Sequence, residues 1–216
     1  MYSDATSEKP RWLTSGVLID GVNHRFLDAK RDKRGSFTEI FYDTWETGIH
    51  PRQWGVVNSN AGVLRGMHLH LEHNEYICVL QGRACIGLYD LRRESKTYRS
   101  HALIDVDGDC PAYITFPRGI LHGWYFHKPS IHVQAISNTF DEYGDKDNWG
   151  CSFADPNLGI PWPNPNPILS DRATHFPSLR ELEGILDAYQ VAKESGHTPS
   201  EGLTRYADTA VTNIKG

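Results

Sequence analysis

The chain has 216 residues, with 22 lysines and arginines against 27 aspartates and glutamates, a formal charge of −5. That balance argues against a general nucleic-acid surface, and the length suits one domain with extensions or two small ones. The four scattered cysteines, the polar N-terminus and the lack of a membrane-length apolar run lead us to expect a cytoplasmic protein with reduced thiols and no membrane partner.

Residues 1–16 read as an N-terminal arm. Val17 to Phe26 alternates weakly and reads as an edge strand. The turn at Lys33-Arg34-Gly35 precedes a predicted strand over 36–42, and Trp45 to Arg52 reads as a loop. Gln53 to Asn58 looks extended. Short β runs then follow at 63–71, 76–80, 84–90, 101–104, 112–116, 123–126 and 131–137. Gln81-Gly82, Asp107-Gly108-Asp109 and Lys128-Pro129 punctuate them. Closely spaced strands with turns between them predict a sandwich or barrel. Residues 155–167, rich in Pro and Asn, are expected to be irregular. Leu179, Leu182, Leu186 and Tyr189 recur at helical steps and predict a helix over 178–193. The expected organisation is therefore an all-β, cupin-type jelly-roll barrel over 17–177, followed by a short C-terminal helix and polar tail over 178–216. An immunoglobulin-like sandwich is the alternative, but it would not explain histidines converging on inward strand positions.

The chemistry concentrates between Gly62 and Gly82. His68 and His70 lie two apart, so on a strand they face one side together. The spacing Gly62-x5-His68-x-His70-x4-Glu75-x6-Gly82 matches the first cupin metal motif. Pro117-x-Gly119-x2-His122 matches most of the second, with Phe126 where that motif ends in a polar residue. One reading is a metal site of His68, His70, Glu75 and His122 for Fe, Ni, Mn or Zn. The other is a framework kept without metal.

A second set of motifs runs along the chain: Arg34-Gly35-x-Phe37-x-Glu39, Val63-Leu64-Arg65-Gly66-Met67-His68, Asp90-Leu91-Arg92, Pro117-x-Gly119-x2-His122-Gly123, Asp155-Pro156-x2-Gly159-Ile160-x-Trp162-Pro163 and Leu169-Ser170. In number and order these resemble the dTDP-4-dehydrorhamnose 3,5-epimerase family over roughly residues 20–182. The resemblance implies a homodimer with strands exchanged at its interface, a nucleotide-sugar substrate and no cofactor. It implies His68 as general base, Arg34 and Arg65 as sugar-nucleotide contacts, and Glu39, Asn58 and His122 as further pocket residues. Three of the family's positions differ here. Its lysine falls at or beside Glu75, its tyrosine acid at about Gln134, and its base-orienting aspartate at Ala173.

These differences bear on the chemistry. Epimerisation beside a ketone needs a base, a stabiliser of the enolate and an acid on the opposite face. His68 suits the first role. Gln134 donates a hydrogen bond but is no proton donor at neutral pH. A metal on His68, His70, Glu75 and His122 would replace the missing positive charge, but it would occupy the base. The expectation is thus a 3- and/or 5-epimerase-like isomerase acting on a 4-keto-6-deoxy nucleotide sugar, in deoxysugar or surface-glycan synthesis. A metal-dependent enzyme on the same scaffold and a non-catalytic nucleotide-sugar binder are the alternatives.

Overall fold

The structure, a computed structural model, describes residues 10–143 and 147–195. The strands are β1 (Leu13–Gly16), β2 (Asn23–Phe26), β3 (Ala29–Asp32), β4 (Gly35–Thr38), β5 (Gln53–Ser59), β6 (Leu64–Leu69), β7 (Glu75–Gln81), β8 (Arg83–Asp90), β9 (His101–Asp107), β10 (Ala112–Phe116), β11 (Ile120–Phe126), β12 (Ser130–Ile136) and β13 (Trp149–Gly150). One sheet has the order β1-β9-β8-β11-β6-β13 and the other β2-β10-β7-β12-β5, while β3 and β4 form a separate hairpin. All named strand pairs are antiparallel. This is the expected jelly roll.

The space between the sheets is filled by Ile77, Val79, Ile86, Leu88, Ile104, Ile114, Phe116, Ile120, Trp124 and Phe126. Every residue of β11 is buried, because both faces of its sheet are covered. Leu121 lies under the C-terminal segment with Met67, Leu69 and Trp149, and Tyr125 packs near Trp162 and Leu169. Two-sided cover removes the apolar–polar alternation of a half-exposed strand.

Helix α2 (Leu179–Glu194) supplies part of that cover. Ser178 caps it: the hydroxyl accepts from the Glu181 amide, and the Glu181 carboxylate accepts from the Ser178 amide at 2.8 Å. Leu179, Leu182, Ile185, Leu186 and Tyr189 then face the sheet. Tyr189 meets Trp149 edge-on, with ring centroids 5.2 Å apart.

The early chain departs from expectation. Leu13–Gly16, expected in the arm, pairs with β9 and is anchored by the buried Leu13. Val17–Phe26 is not one strand, because only its last four residues are extended, as β2. Residues 36–42 shorten to β4, whose partner β3 went unpredicted since Ala-Lys-Arg-Asp carries no alternation. A four-residue helix, α1 (Phe140–Tyr143), and 3₁₀ turns at Pro156–Leu158 and Ala173–His175 are too short to show a helical period. Residues 1–9 of the arm and the tail from 196 lie outside the described residues. Among those described, no helix is long and apolar enough to cross a membrane.

Candidate active site

The site is set by an irregularity in β6. His122 pairs with His68 but Gly123 pairs with Gly66, so β6 carries one extra residue at this point. A bulge of this kind shifts the inward–outward alternation by one. Leu64 therefore points to the outer cluster, and beyond the bulge Met67 and Leu69 do the same. Arg65, His68 and His70 all line the inner cavity. The backbones approach closely here. Gly66 has φ +124°, and a Cβ on it would lie 2.6 Å from the Gly123 Cα, so only glycine fits.

The cavity, about 310 Å³, opens between the sheets. Strand β6 contributes Arg65 and His68, with His70 just past its end; β11 contributes His122 and Trp124, and β12 contributes Gln134. His73, Tyr143, Asn148 and Arg172 come from loops and α1. Glu75, at the start of β7, is 1% exposed. Its Oε1 lies 3.2 Å from His70 Nε2, 3.3 Å from His122 Nε2 and 3.8 Å from His73 Nε2. Its Oε2 lies 3.4 Å from the Gln134 amide nitrogen.

Asp147 ties the cluster together. Its carboxylate accepts from the Leu71 amide at 2.6 Å and the Glu72 amide at 3.0 Å, and stands 3.0 Å from His73 Nδ1. Its backbone carbonyl lies 2.5 Å from His70 Nδ1. A carbonyl only accepts, so that nitrogen carries the proton. The same reasoning places a proton on His122 Nδ1, 3.0 Å from the Ile120 carbonyl.

Burial dominates the electrostatics. It holds His68 well below the ordinary imidazole range, helped by the nearness of His122, His70 and Arg172. It also takes His70 down to about 4. For His73 burial again opposes the charge, but Asp147 and Glu75 outweigh it and raise the group to about 9. Burial disfavours the Glu75 anion, yet the surrounding histidines hold it well below the usual carboxylate range. His68 is therefore a neutral proton acceptor beside a charged His73–Glu75 pair.

His68, His70, His122, Arg65 and Gln134 all line this one cavity. Asn58 is exposed, and its part is played by its carbonyl, which accepts from Arg65 Nη2 at 3.1 Å. Arg34 and Glu39 do not join this cavity. Arg34 sits at the hairpin tip, paired with Asp32 and 83% exposed in its side chain, and Glu39 is exposed just past β4. The expected metal set also changes. The residues whose ligand atoms lie within 4.8 Å of one another are His70, His73 and Glu75, and both His68 and His122, expected as ligands, stand outside that group. Ala173 heads a 3₁₀ turn, but its neighbour Arg172 reaches the cavity, held by the Asn148 carbonyl and the Phe176 ring. His73, Asp147 and Arg172 were not foreseen. His73 had a signal, since it lies within the His68–Glu75 span. Asp147 and Arg172 reach the site only through tertiary folding.

Comparison with known proteins places this arrangement in context. Residues 17–181 match the family model described as dTDP-4-dehydrorhamnose 3,5-epimerase. A Streptomyces griseus dTDP-4-dehydrorhamnose 3,5-epimerase is 29% identical over 170 residues, covering 74% of this chain and 84% of the relative. The spore coat polysaccharide biosynthesis protein SpsL of Bacillus subtilis is 32% identical over 107 residues, 50% of this chain and 71% of that protein. A Bacillus anthracis dTDP-4-dehydrorhamnose 3,5-epimerase, solved with TDP and PPi bound, superposes with a TM-score of 0.67 at 28% identity. That match covers 73% of this chain and 94% of the solved one. The family match spans both sheets and the strands that carry His68 and His122, and on that ground this chain belongs to the dTDP-4-dehydrorhamnose 3,5-epimerase family.

Proposed function

We propose that this chain is an epimerase-type isomerase of a 4-keto-6-deoxy nucleotide sugar, acting in deoxysugar or surface-glycan biosynthesis. The observation that carries the reading is His68, an imidazole kept neutral by burial on the wall of a cavity lined by two arginines. The substrate class follows from the relatives, which are named as dTDP-sugar and glycan-biosynthesis enzymes. The nucleotide diphosphate would meet Arg65, whose charged fork suits phosphate oxygens.

The step assigned to His68 is removal of the proton from a carbon beside the ketone. A neutral imidazole does this near neutral pH and returns the proton afterwards. The enolate needs a positive neighbour, and Arg172 is a cation lining the same cavity. Gln134 has an amide nitrogen 3.4 Å from Glu75 and no proton to give. The opposite face therefore lacks a side-chain acid at that position, and exchange is expected at one carbon, or slowly at both. Loss of a positioned acid typically costs about 10²–10⁴-fold.

The test is solvent deuterium incorporation. The protein in D₂O with dTDP-4-keto-6-deoxyglucose should place deuterium beside the carbonyl, read by proton NMR, and His68→Asn should abolish it. Exchange that survives His68→Asn would remove the base assignment. Absence of exchange with any 4-keto nucleotide sugar would leave the chain a binding protein.

A further inference from the structure

We propose that His70, His73 and Glu75 form a binding site for one divalent transition-metal ion, with His122 beside it and His68 left free. The proposal rests on the direction of the imidazoles. The Nδ1 side of each faces a fixed acceptor: the Asp147 carbonyl bonds His70 and the Ile120 carbonyl bonds His122, while the Asp147 carboxylate stands 3.0 Å from His73 Nδ1. A histidine held through Nδ1 presents Nε2 to whatever lies opposite, and outer carboxylates and carbonyls hold metal-ligating histidines in this way.

What lies opposite is one oxygen. Nε2 of His70, His122 and His73 stand 3.2, 3.3 and 3.8 Å from Glu75 Oε1. That oxygen is buried and has no hydrogen-bond partner. His70 and His122, with their protons on Nδ1, aim Nε2 lone pairs at an anionic oxygen, which repels unless a positive centre, a protonated His73 or a bound cation, stands among them. Hydrogen bonding accounts for little of this, because 3.3 and 3.8 Å exceed the ordinary N–H···O range. Coordination accounts for it better. Ligand atoms bonded at about 2.0–2.1 Å to one tetrahedral ion lie roughly 3.3 Å apart.

The donor set is two imidazoles and a carboxylate, which suits Zn²⁺ or Fe²⁺ and leaves positions open. His70 lines the cavity, so an open position faces the space that also holds His68. The ion and the free base are therefore compatible in one cavity. The part such an ion would take in sugar chemistry rests on the epimerase reading, but its binding does not.

The experiment uses the full chain and no sugar. Protein freed of metal by dialysis against a chelator is titrated with Zn²⁺ by calorimetry and with Co²⁺ by optical absorption. One ion per chain is expected, with Co²⁺ bands of a nitrogen–oxygen site. Glu75→Gln and His73→Gln should each weaken binding at least tenfold, while His68→Asn should leave it unchanged. Zinc-edge X-ray absorption of the unmutated chain, which needs no variant to fold, should show imidazole scattering and an oxygen. No binding by the unmutated chain, or ligands other than two or three imidazoles and a carboxylate, would overturn the site. In the first case His73 alone would supply the charge that offsets Glu75.

Discussion

Arg65 and His132 show how single side chains divide the work of the cavity wall. Arg65 donates from Nε to Ser59 Oγ at 2.9 Å and from Nη2 to the Asn58 carbonyl at 3.1 Å. Both bonds fix the guanidinium itself and neither partner is charged, so its positive charge is left to meet an anion. Calorimetry with dTDP should show Arg65→Glu losing about 1.5–3 kcal/mol, a factor of roughly 10–150. Equal affinity in the variant would take Arg65 out of the phosphate site. His132 is 1% exposed, neither ring nitrogen has a hydrogen-bond partner, and the ring stacks on Phe126 with centroids 5.6 Å apart. Burial lowers it to about 4. Its folded value is thus below its unfolded value of 6.5, and the unfolded chain takes up the proton first as pH falls. The stability it protects is present above pH 6.5 and is lost between 6.5 and about 4, by roughly 3 kcal/mol. Urea unfolding at pH 7 and pH 4.5 should show that loss, and His132→Phe should reduce it. An unchanged pH dependence would assign the acid limb elsewhere, with His24, also lowered to about 4, the next group to test.

At the scale of elements, the cover of the six-stranded sheet depends on how α2 begins and what it buries. Ser178→Ala removes one side of the capping pair and should cost about 1 kcal/mol. Leu182, 1% exposed, should cost about 2–5 kcal/mol when cut to alanine. Chemical unfolding of both variants checks the order. If Ser178→Ala proved the more damaging, the helix would be held by its cap rather than its packing. This element was legible because its signals are local: Ser178 and Glu181 lie three apart, and leucines recur at helical steps. The central strands were legible for a related reason, since Gln81-Gly82 and Lys128-Pro129 bound apolar runs. Hairpin β3–β4 was only half legible. Lys30, Arg31 and Asp32 are exposed, so no buried face imposes alternation. The bulge in β6 was illegible, because a close approach of Gly66 to Gly123 is a contact between strands far apart in sequence. The spacing of His68 and His70 predicted a shared face without it. That Arg65, three residues before His68, shares the face follows only from the bulge.

On the scale of the whole molecule, β5 is an edge strand that the described residues leave exposed. Strand β5 pairs only with β12, and along it Trp54 is 43% and Val56 65% exposed. Unpaired edge groups with apolar side chains are a template for another strand. Phe37 on the β3–β4 hairpin is 62% exposed, and the nearby Arg34 and Glu39, implied by resemblance to serve the nucleotide-sugar site, lie outside their own chain's cavity. A homodimer in which β5 is covered and each hairpin reaches the other subunit's cavity would answer both facts, and it is the assembly we propose. Sedimentation equilibrium should give twice the 24.5 kDa chain mass, and Val56→Lys should give a folded monomer by placing a charge on the covered edge. The sharing of residues has its own test. His68→Asn and Arg34→Glu are each expected to lose exchange into the 4-keto sugar. A mixed dimer of the two has one cavity with both defects and one with neither, if Arg34 serves across the interface. Activity should then reappear on mixing after the subunits have been dissociated and reassociated. If Arg34 served its own chain, every cavity in the mixture would carry one defect, and mixing would restore nothing.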